Sequence, residues 1–472
     1  MNLIPSQENP LTEDPLFFSA LKLRDVLMNN LSSLDYVHMT PIQAESLPMM
    51  LGGRDVIAQA KTGSGKTAAF GLTLLNHLNS DQFVVQALVL CPTRELAAQV
   101  MDAIRKLARL MPNVKVLNLS GGMPLKPQLD SLKHGAHVIV GTPGRVQKHL
   151  DKGSLLLGQL QTLILDEADR MLDMGFFEAI KKVIGAIPKK RQTLLFSATY
   201  PPEIKQLATQ FMLNPQRIVV EEKNTDVDIL QQFYEVSSQS DKFPLLKALL
   251  RHYQPLSTLI FCNTKDQTTQ LSKLLTQEGF SAIALNGDMD QVERDVAMIR
   301  FAHQSCSILV ATDVAARGLD IKELPAVINF ELAFDGDIHI HRIGRTGRAG
   351  SKGLALSLTT PADAERLCAI EAGLKQPLTW GDIKALDQSA PSMLAPRMVT
   401  LALSAGRKDK IRPGDILGAL TKDAGLAGDM IGKITVVASH AYVAIHHSQA
   451  DKAYQYFQKG KLKGRKVHVK RL

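Results

Sequence analysis

One pattern constrains this chain more than any other: short, unbroken apolar runs alternate with segments of helical spacing, twice over. The runs "FVVQALVLC", "VKVLNL", "HVIVG", "LQTLILD" and "QTLLFSAT" are separated by stretches such as "RELAAQVMDAIRKLARLM" and "FFEAIKKVIGAI". A run without polar alternation has both faces buried, and the intervening helices supply the cover. The expectation is a parallel sheet with helices on both faces. A charged polar stretch, "EEKNTDVDI", interrupts the pattern. It restarts with "STLIFCNT", "SAIALNGD", "CSILVATD", "AVINFEL" and "GLALSLTT", with no sequence repeat of the first half. Two α/β lobes in tandem are therefore expected. After Trp380, "DQSAPSMLAPR" reads as a linker. The last segment runs strand "MVTLALS", helix "GDILGALTKDAG", strands "KITVVAS" and "AYVAIHH", helix "ADKAYQYFQ", strand "KVHVKRL". That βαββαβ order is the small α+β topology of RNA-recognition modules, RRM-like. The expected divisions are 1–222, 223–380, a linker 381–396, and 397–472.

Charge sets the last segment apart. The chain carries a formal net charge of +9, yet residues 397–472 alone hold 15 Lys and Arg against 5 Asp and Glu. The lobes are nearly neutral, and a polyanion addressed by the C-terminal module is expected, with a solvated basic tail as the plainer alternative. Cys91, Cys262, Cys306 and Cys368 show neither disulfide nor metal-ligand spacing, as expected of small apolar side chains in a reducing cytosol. The start, "MNLIPSQENPLTEDP", lacks the charged and apolar parts of a secretory signal. No apolar run approaches the roughly 18 residues of a membrane span. A cytoplasmic protein with no membrane partner is expected.

The chemistry falls at strand ends, where open α/β sheets bind ligands. "AKTGSGKT" lies between strand-like "DVIAQ" and a helical run. Ala60, Lys61, Thr62, Gly63, Ser64 and Gly65 form a loop whose backbone N–H groups can close on phosphate oxygens, and the helix start adds positive partial charge. Lys66 is placed to reach the β- and γ-phosphates and Thr67 to bind Mg2+. A generic phosphate loop has Gly where Ala60 stands. "LILDEADRML" ends a strand in acids. Asp166 suits Mg2+, through water, and Glu167 can orient or deprotonate an attacking water.

In their order, these motifs resemble those of the DEAD-box RNA helicases. "DEAD" stands at 166–169, and the Ala-first loop is that family's own form. The resemblance implies two RecA-like lobes, ATP with Mg2+, and RNA-dependent ATP hydrolysis. "MTPIQ" matches the adenine-reading motif, so Gln43 would present its donor and acceptor to the adenine edge. Phe18 stands where an upstream aromatic packs on adenine. One departure is Asp35 before Tyr36, where the family usually has Gly, which touches the turn geometry there. "PTREL", Gly121–Gly122 and "TPGR" match the RNA-backbone motifs. Thr93, Arg94, Gly122, Thr142 and Arg145 supply hydroxyls, an open N–H and guanidiniums suited to phosphate and sugar, none of which reads bases. "SAT" contributes Ser197 and Thr199, which the resemblance links through Asp169 to strand separation.

In the second lobe, "QVER" gives Gln291 and Arg294, and "ATDVAARGLD" gives Thr312, Asp313, Arg317, Gly318 and Asp320. By resemblance Arg294 and Thr312 face RNA, while Gly318 and Asp320 approach the nucleotide. Asp313 and Arg317 could equally form a helix-start salt bridge. "HRIGRTGRAG" sets Arg342, Arg345 and Arg348 at every third position. Read alone, it is a basic turn on RNA. The resemblance makes Arg345 and Arg348 arginine fingers for the γ-phosphate and His341 a coupling residue. Lys66, Asp166 and Glu167 belong to the first lobe. The resemblance therefore implies catalysis completed when RNA helps bring the lobes together, with local strand separation as the result.

"IRPGDILGALT", "IGKITV" and "AYVAI" resemble the RNA-binding domain of the DbpA subfamily of these helicases. This implies a monomer acting on structured 23S ribosomal RNA within a pre-50S ribosomal particle. Stacking of bases on the module's sheet is poorly supported: "MVTLALS" has no aromatic and "AYVAIHH" offers only Tyr442. Arg407, Lys408, Lys410 and Arg412, with Lys461, Lys463, Arg465 and Lys466, are the better RNA contacts. Two other functions stay open here: an ATP-gated RNA clamp that unwinds nothing, and a DNA helicase.

Overall fold

The computed structural model describes residues 16–60, 63–220, 229–316, 324–347, 352–374, 376–387 and 396–472. The chain divides into two compact units that meet in sequence at Lys223 and Asn224.

The first unit is a seven-stranded sheet: β1 (Val56–Gln59), β2 (Ala87–Leu90), β3 (Val116–Leu119), β4 (Val138–Gly141), β5 (Thr162–Leu165), β6 (Gln192–Ser197) and β7 (Gln216–Val219). Its order is β3-β4-β2-β5-β6-β1-β7, and every neighbouring pair is parallel. Alternate residues enter separate cores. Ala58, Val89, Val140 and Ile164 pack on one face, and Ile57, Leu88, Ile139 and Leu163 on the other. This is the two-sided burial that unbroken apolar runs demand. Strand β7 is exposed at three of its four positions. "QRIV" therefore carries no apolar run, and the sequence pattern passes it over.

The second unit opens with a six-stranded parallel sheet: β8 (Ile229–Glu235), β9 (Thr258–Phe261), β10 (Ala282–Leu285), β11 (Ile308–Ala311), β12 (Ala326–Asn329) and β13 (Gly353–Thr359). The order is β10-β11-β9-β12-β13-β8. The expected linker does not leave this lobe at residue 381. The Gly381 N–H donates to the Phe233 carbonyl, the Asp387 N–H donates to His252 Nδ1, and Leu386 is buried in the lobe's core.

The C-terminal module has the expected order. Strands β14 (Met398–Leu403), β15 (Ile431–Val436), β16 (Ala441–His446) and β19 (Val469–Arg471) form an antiparallel sheet in the order β15-β16-β14-β19. A small hairpin, β17 (Lys461–Leu462) and β18 (Arg465–Lys466), precedes the last strand. Leu401, Leu403, Val443 and Val436 face the module's helices and its core. Thr400, Tyr442 and Thr435 alternate with them and so lie on the opposite face.

That opposite face meets the second lobe. His303 Nε2 is 2.9 Å from Thr435 Oγ1, His303 Nδ1 is 3.3 Å from Thr400 Oγ1, and Ser305 Oγ is 2.7 Å from Thr400 Oγ1. Thr400 is fully buried, and Tyr442 is only 7% exposed and feels the charge of Asp295. The sheet surface on which an RNA-recognition module stacks bases is spent on the chain's own second lobe.

All four cysteines are unpaired; Cys91, Cys262 and Cys306 are buried, whereas Cys368 is exposed. Among the described residues no helix is long and apolar enough to cross a membrane.

Candidate nucleotide and RNA sites

The phosphate loop follows β1, and its helix starts at Lys66 behind Gly65. Gly63 and Gly65 hold φ of +94° and +96°, a conformation glycine adopts without cost. Gly65 has a second reason: a Cβ there would meet Gln43 Nε2 at 2.5 Å and Thr40 Oγ1 at 2.9 Å. Lys66 is folded back, its Nζ donating to the Ala60 carbonyl at 2.7 Å. Lys61 and Thr62 lie outside the described residues.

Gln43 is brought to this loop, but its amide is engaged at both ends. Oε1 accepts from the Thr40 N–H at 2.9 Å, and Nε2 donates to the Gly65 carbonyl at 3.0 Å. It is 3% exposed, so in this structure it braces the loop rather than presenting an edge to a base. Phe18 is 1% exposed, within the lobe's core, and no face of its ring is open to a base. Phe17 is the partly exposed ring, lying 4.3 Å from the His38 ring. Asp35 takes φ +58°, the left-handed conformation that suits the family's glycine. The turn is kept, and Asp is among the residues that tolerate it.

Beyond β5, Asp166 is 3% exposed. Burial pushes its carboxyl up to about 7; Lys66 opposes this and Glu167 adds to it. Glu167 follows at φ +52° and is ion-paired to Arg170, whose NH1 lies 2.8 Å from Oε2. Asp169 is the hub of the next contacts. Its Oδ2 accepts from the Ala198 N–H at 3.1 Å, the Thr199 N–H at 2.9 Å and the Thr199 hydroxyl at 3.0 Å. Its own N–H donates to Ser197 Oγ at 3.3 Å. Burial works against the charged form, but the Thr199 bonds and the Arg170 N–H outweigh it and hold Asp169 below the usual carboxylate range. Asp169, Ser197 and Thr199 are therefore brought together across the β5–β6 pair.

The RNA-backbone motifs gather at the other half of the same sheet edge, after β2, β3 and β4. Thr93 caps the helix Arg94–Leu107, its side chain accepting from the Leu96 N–H. The Arg94 guanidinium lies directly against Gly122, where a side chain would collide with it, and Gly122 has φ +74°. Arg145 is already engaged: NH1 donates to Gln128 Oε1 at 2.7 Å, and both terminal nitrogens donate to the Met123 carbonyl at 3.0 Å. Burial first, and then the charge of Arg94, lower its pKa from the ordinary value. Thr142 is 8% exposed at the start of the Arg145 helix.

In the second lobe, Arg294 is buried with NH1 toward the Asn286 carbonyl at 3.4 Å, rather than standing open to RNA. Thr312 Oγ1 accepts from the Ala315 N–H. The three arginines of "HRIGRTGRAG" differ in kind. Arg342 is 1% exposed and binds Asp313 by two hydrogen bonds of 2.7 Å. Its remaining donors reach Asn329 Oδ1, the Glu331 carbonyl and Asn263 Oδ1. Asp313 is thus the partner of Arg342, which neither spacing nor resemblance suggested. Arg345 is 8% exposed, and His341 is partly exposed in the last turn of the helix Gly336–Ile343. Arg317, Gly318, Asp320 and Arg348 lie outside the described residues.

In the C-terminal module the two basic clusters adjoin. Lys463 Nζ donates to the Lys410 carbonyl at 3.0 Å and pairs with Asp415 at 3.2 Å. Arg465 pairs with Asp409 at 3.0 Å, and Arg407 Nε donates to the Val436 carbonyl. Lys408, Arg412, Lys461 and Lys466 are exposed beside them.

Two parallel-sheet lobes, a phosphate loop after β1 with acids after β5, one strand removed, and an appended basic module define an ATP-driven RNA-remodelling enzyme. Family models match accordingly: the DEAD/DEAH box helicase model over residues 40–207, the helicase conserved C-terminal domain over 241–350, and the DbpA RNA binding domain over 400–471. The chain is 51% identical to the ATP-dependent RNA helicase DbpA of Escherichia coli (strain K12), covering 96% of this chain and 99% of that one. It is 42% identical to the DEAD-box ATP-dependent RNA helicase CshA of Bacillus cereus, covering 79% and 71%. Among solved structures, S. cerevisiae Dbp5 bound to RNA and ADP BeF3 is similar, with a TM-score of 0.71 at 32% identity, covering 78% of this chain and 96% of that one. The chain belongs to the DEAD-box RNA helicases and, within them, to the DbpA subfamily. It is an RNA-dependent ATPase and helicase that uses ATP and binds RNA.

Proposed function

We propose that this enzyme locally unwinds or remodels 23S ribosomal RNA in the cytoplasm, as a monomer, during assembly of the 50S ribosomal subunit. The ribosomal address is supported by the match to the DbpA RNA binding domain, and the unwinding by the strand order of the first lobe. That order sets the RNA-backbone motifs after β3, β4 and β2, the phosphate loop after β1, and Asp166 and Ser197 on the two strands between. The Asp169–Thr199 bonds join those two strands, so a change at the nucleotide has a short physical route to the RNA-facing loops. The catalytic roles go to Lys66 for the β- and γ-phosphates, Glu167 for the attacking water, and Arg345 and Arg348 for the charge of the γ-phosphate. The domain divisions proposed are the ATP-binding lobe 1–222, the second lobe from 223 with the stretch 381–387 still packed on it, a linker in the rest of 381–396, and the RNA-binding domain 397–472.

The residues fit Mg2+. Thr67 and Asp166 offer oxygen donors, and a divalent cation beside Asp166 would relieve the cost of burying its charge. Among the described residues no group of three or more His, Cys, Asp or Glu could hold a metal alone. That suits an ion that keeps several waters and takes only one or two protein oxygens plus substrate phosphates. When bound, it would neutralise phosphate charge. Lys66 then has to leave the Ala60 carbonyl for the phosphates, and Gln43 has to release Gly65 to read adenine.

The RNA address is assigned to the clusters at 407–412 and 461–466. The deciding measurement is ATP hydrolysis with large-subunit rRNA against equal lengths of unrelated RNA. Preferential stimulation is expected; equal stimulation overturns the ribosomal assignment. Displacement of a short duplex beside a ribosomal hairpin separates unwinding from clamping, and stimulation by DNA would favour a DNA substrate.

A further inference from the structure

The ion pair between Glu167 and Arg170 is unusual in its setting. Spacing of i,i+3 is common on exposed helix faces, where it contributes little. Here both side chains are only 6% exposed. Burying two charges gains little stability over an apolar pair, so such a pair calls for another explanation. Glu167 also sits at φ +52° ahead of the short helix Ala168–Asp173, a strained position for a long side chain. Strain and a buried charge coincide on the residue assigned to the attacking water.

We propose that Arg170 is a positioning residue for Glu167, fixing the rotation of its carboxylate so that the attacking water is held in line. The proposal rests on the reading of Glu167 as the group that acts on that water. A charge-assisted hydrogen bond of 2.8 Å to Oε2 removes the carboxylate's freedom to swing about its last torsion. Arg170 is itself anchored through its main chain, since its N–H donates to Asp169 Oδ1 at 3.0 Å. The other oxygen of Asp169 carries the Ala198 and Thr199 bonds. One residue thus holds the base with its side chain and the Ser197–Thr199 loop, through Asp169, with its backbone. Movement of that loop reaches the carboxylate within two residues. Lys66 and Arg170 are also the cations whose charge acts on Asp166, in a segment with three carboxylates in four positions.

The test uses the full-length protein in RNA-saturated single-turnover ATP hydrolysis, with ATP and RNA affinities measured separately. Arg170→Gln is expected to slow hydrolysis roughly 10- to 100-fold, the scale of a misplaced reacting group, while both affinities stay within about threefold. Arg170→Lys, which keeps the charge, should recover part of the rate. In a Glu167→Gln background, adding Arg170→Gln should cost less than about twofold, because the residue it positions is gone. An equal loss in both backgrounds, a parent-like rate for Arg170→Gln, or a loss of ATP binding that matches the loss of rate would each overturn the proposal. A parent-like rate for Glu167→Gln would instead overturn the reading of Glu167, and this proposal with it.

Discussion

Arg342 and Asp313 face each other in a two-point ion pair, with both hydrogen bonds at 2.7 Å and the arginine 1% exposed. The guanidinium's other donors end on Asn329, Glu331 and Asn263, and its Cζ lies 4.9 Å from the centre of the Phe261 ring. It ties the ends of β9, β11 and β12 to the helix Gly336–Ile343. Arg342 is therefore a strut of the second lobe and has nothing left to offer a phosphate.

Replacing Arg342 should unfold rather than inactivate. Arg342→Ala leaves Asp313 and three oxygens without their partner, a loss on the order of 3–5 kcal/mol. Arg342→Lys should recover little, because an ammonium cannot supply the planar fork. Urea unfolding of the second lobe reads both; a change below about 1 kcal/mol would contradict the network.

Arg345 should be told apart by its effect on rate. Arg345→Ala is expected to leave RNA affinity near the parent value and to cut RNA-stimulated ATP hydrolysis by about a thousandfold or more. A variant that loses RNA affinity and keeps its rate would return this arginine to the RNA.

The contact between the second lobe and the C-terminal module should weaken in acid. Burial first, and then the charge of Lys433, push the His303 imidazole down to about 4 from an ordinary 6.5. The docked value lies below the free one, so docking is at full strength above the free value and is lost as pH falls through the interval. Energy transfer between labels on the second lobe and the module should report release on acidification. His303→Asn should flatten that dependence.

RNA affinity should follow the basic loops and not the sheet. Neutralising Lys408, Lys410, Lys461 and Lys466 together should weaken hairpin binding. It should also lower the slope of log affinity against log salt by roughly 0.7–0.9 for each RNA phosphate that then goes unneutralised. Lys463 and Arg465 already neutralise Asp415 and Asp409, so their single loss should count for less. Tyr442→Ala should leave affinity unchanged, since the ring faces the second lobe.

Much of the fold was legible because a strand buried on both faces leaves an unbroken apolar run, as "ALVL" and "TLIL" do at β2 and β5. Strand β7, exposed on most of its length, leaves none. The motif residues were legible as a set because strand ends gather them: Asp169, Ser197 and Thr199 meet although 28 and 30 positions apart. Burial was harder to read. Nothing local marks Arg342 as the partner of Asp313, or distinguishes Arg170 in a buried pair from an arginine on a wet helix face. Phe18 and Arg294 look like ligand contacts by position, yet each is enclosed by its own chain. The docking of Thr400, Thr435 and Tyr442 on the second lobe left only a negative signal, the missing aromatics of that sheet.

That docking separates two tasks a small module usually performs with one surface. The joint to the motor is made by hydroxyls and a neutral imidazole on one sheet face, while the candidate reading residues sit on the loops 407–412 and 461–466. The loops can therefore be rewritten without loosening the joint. Exchanging the exposed residues of those loops is expected to retarget a helicase built this way while leaving its engine untouched.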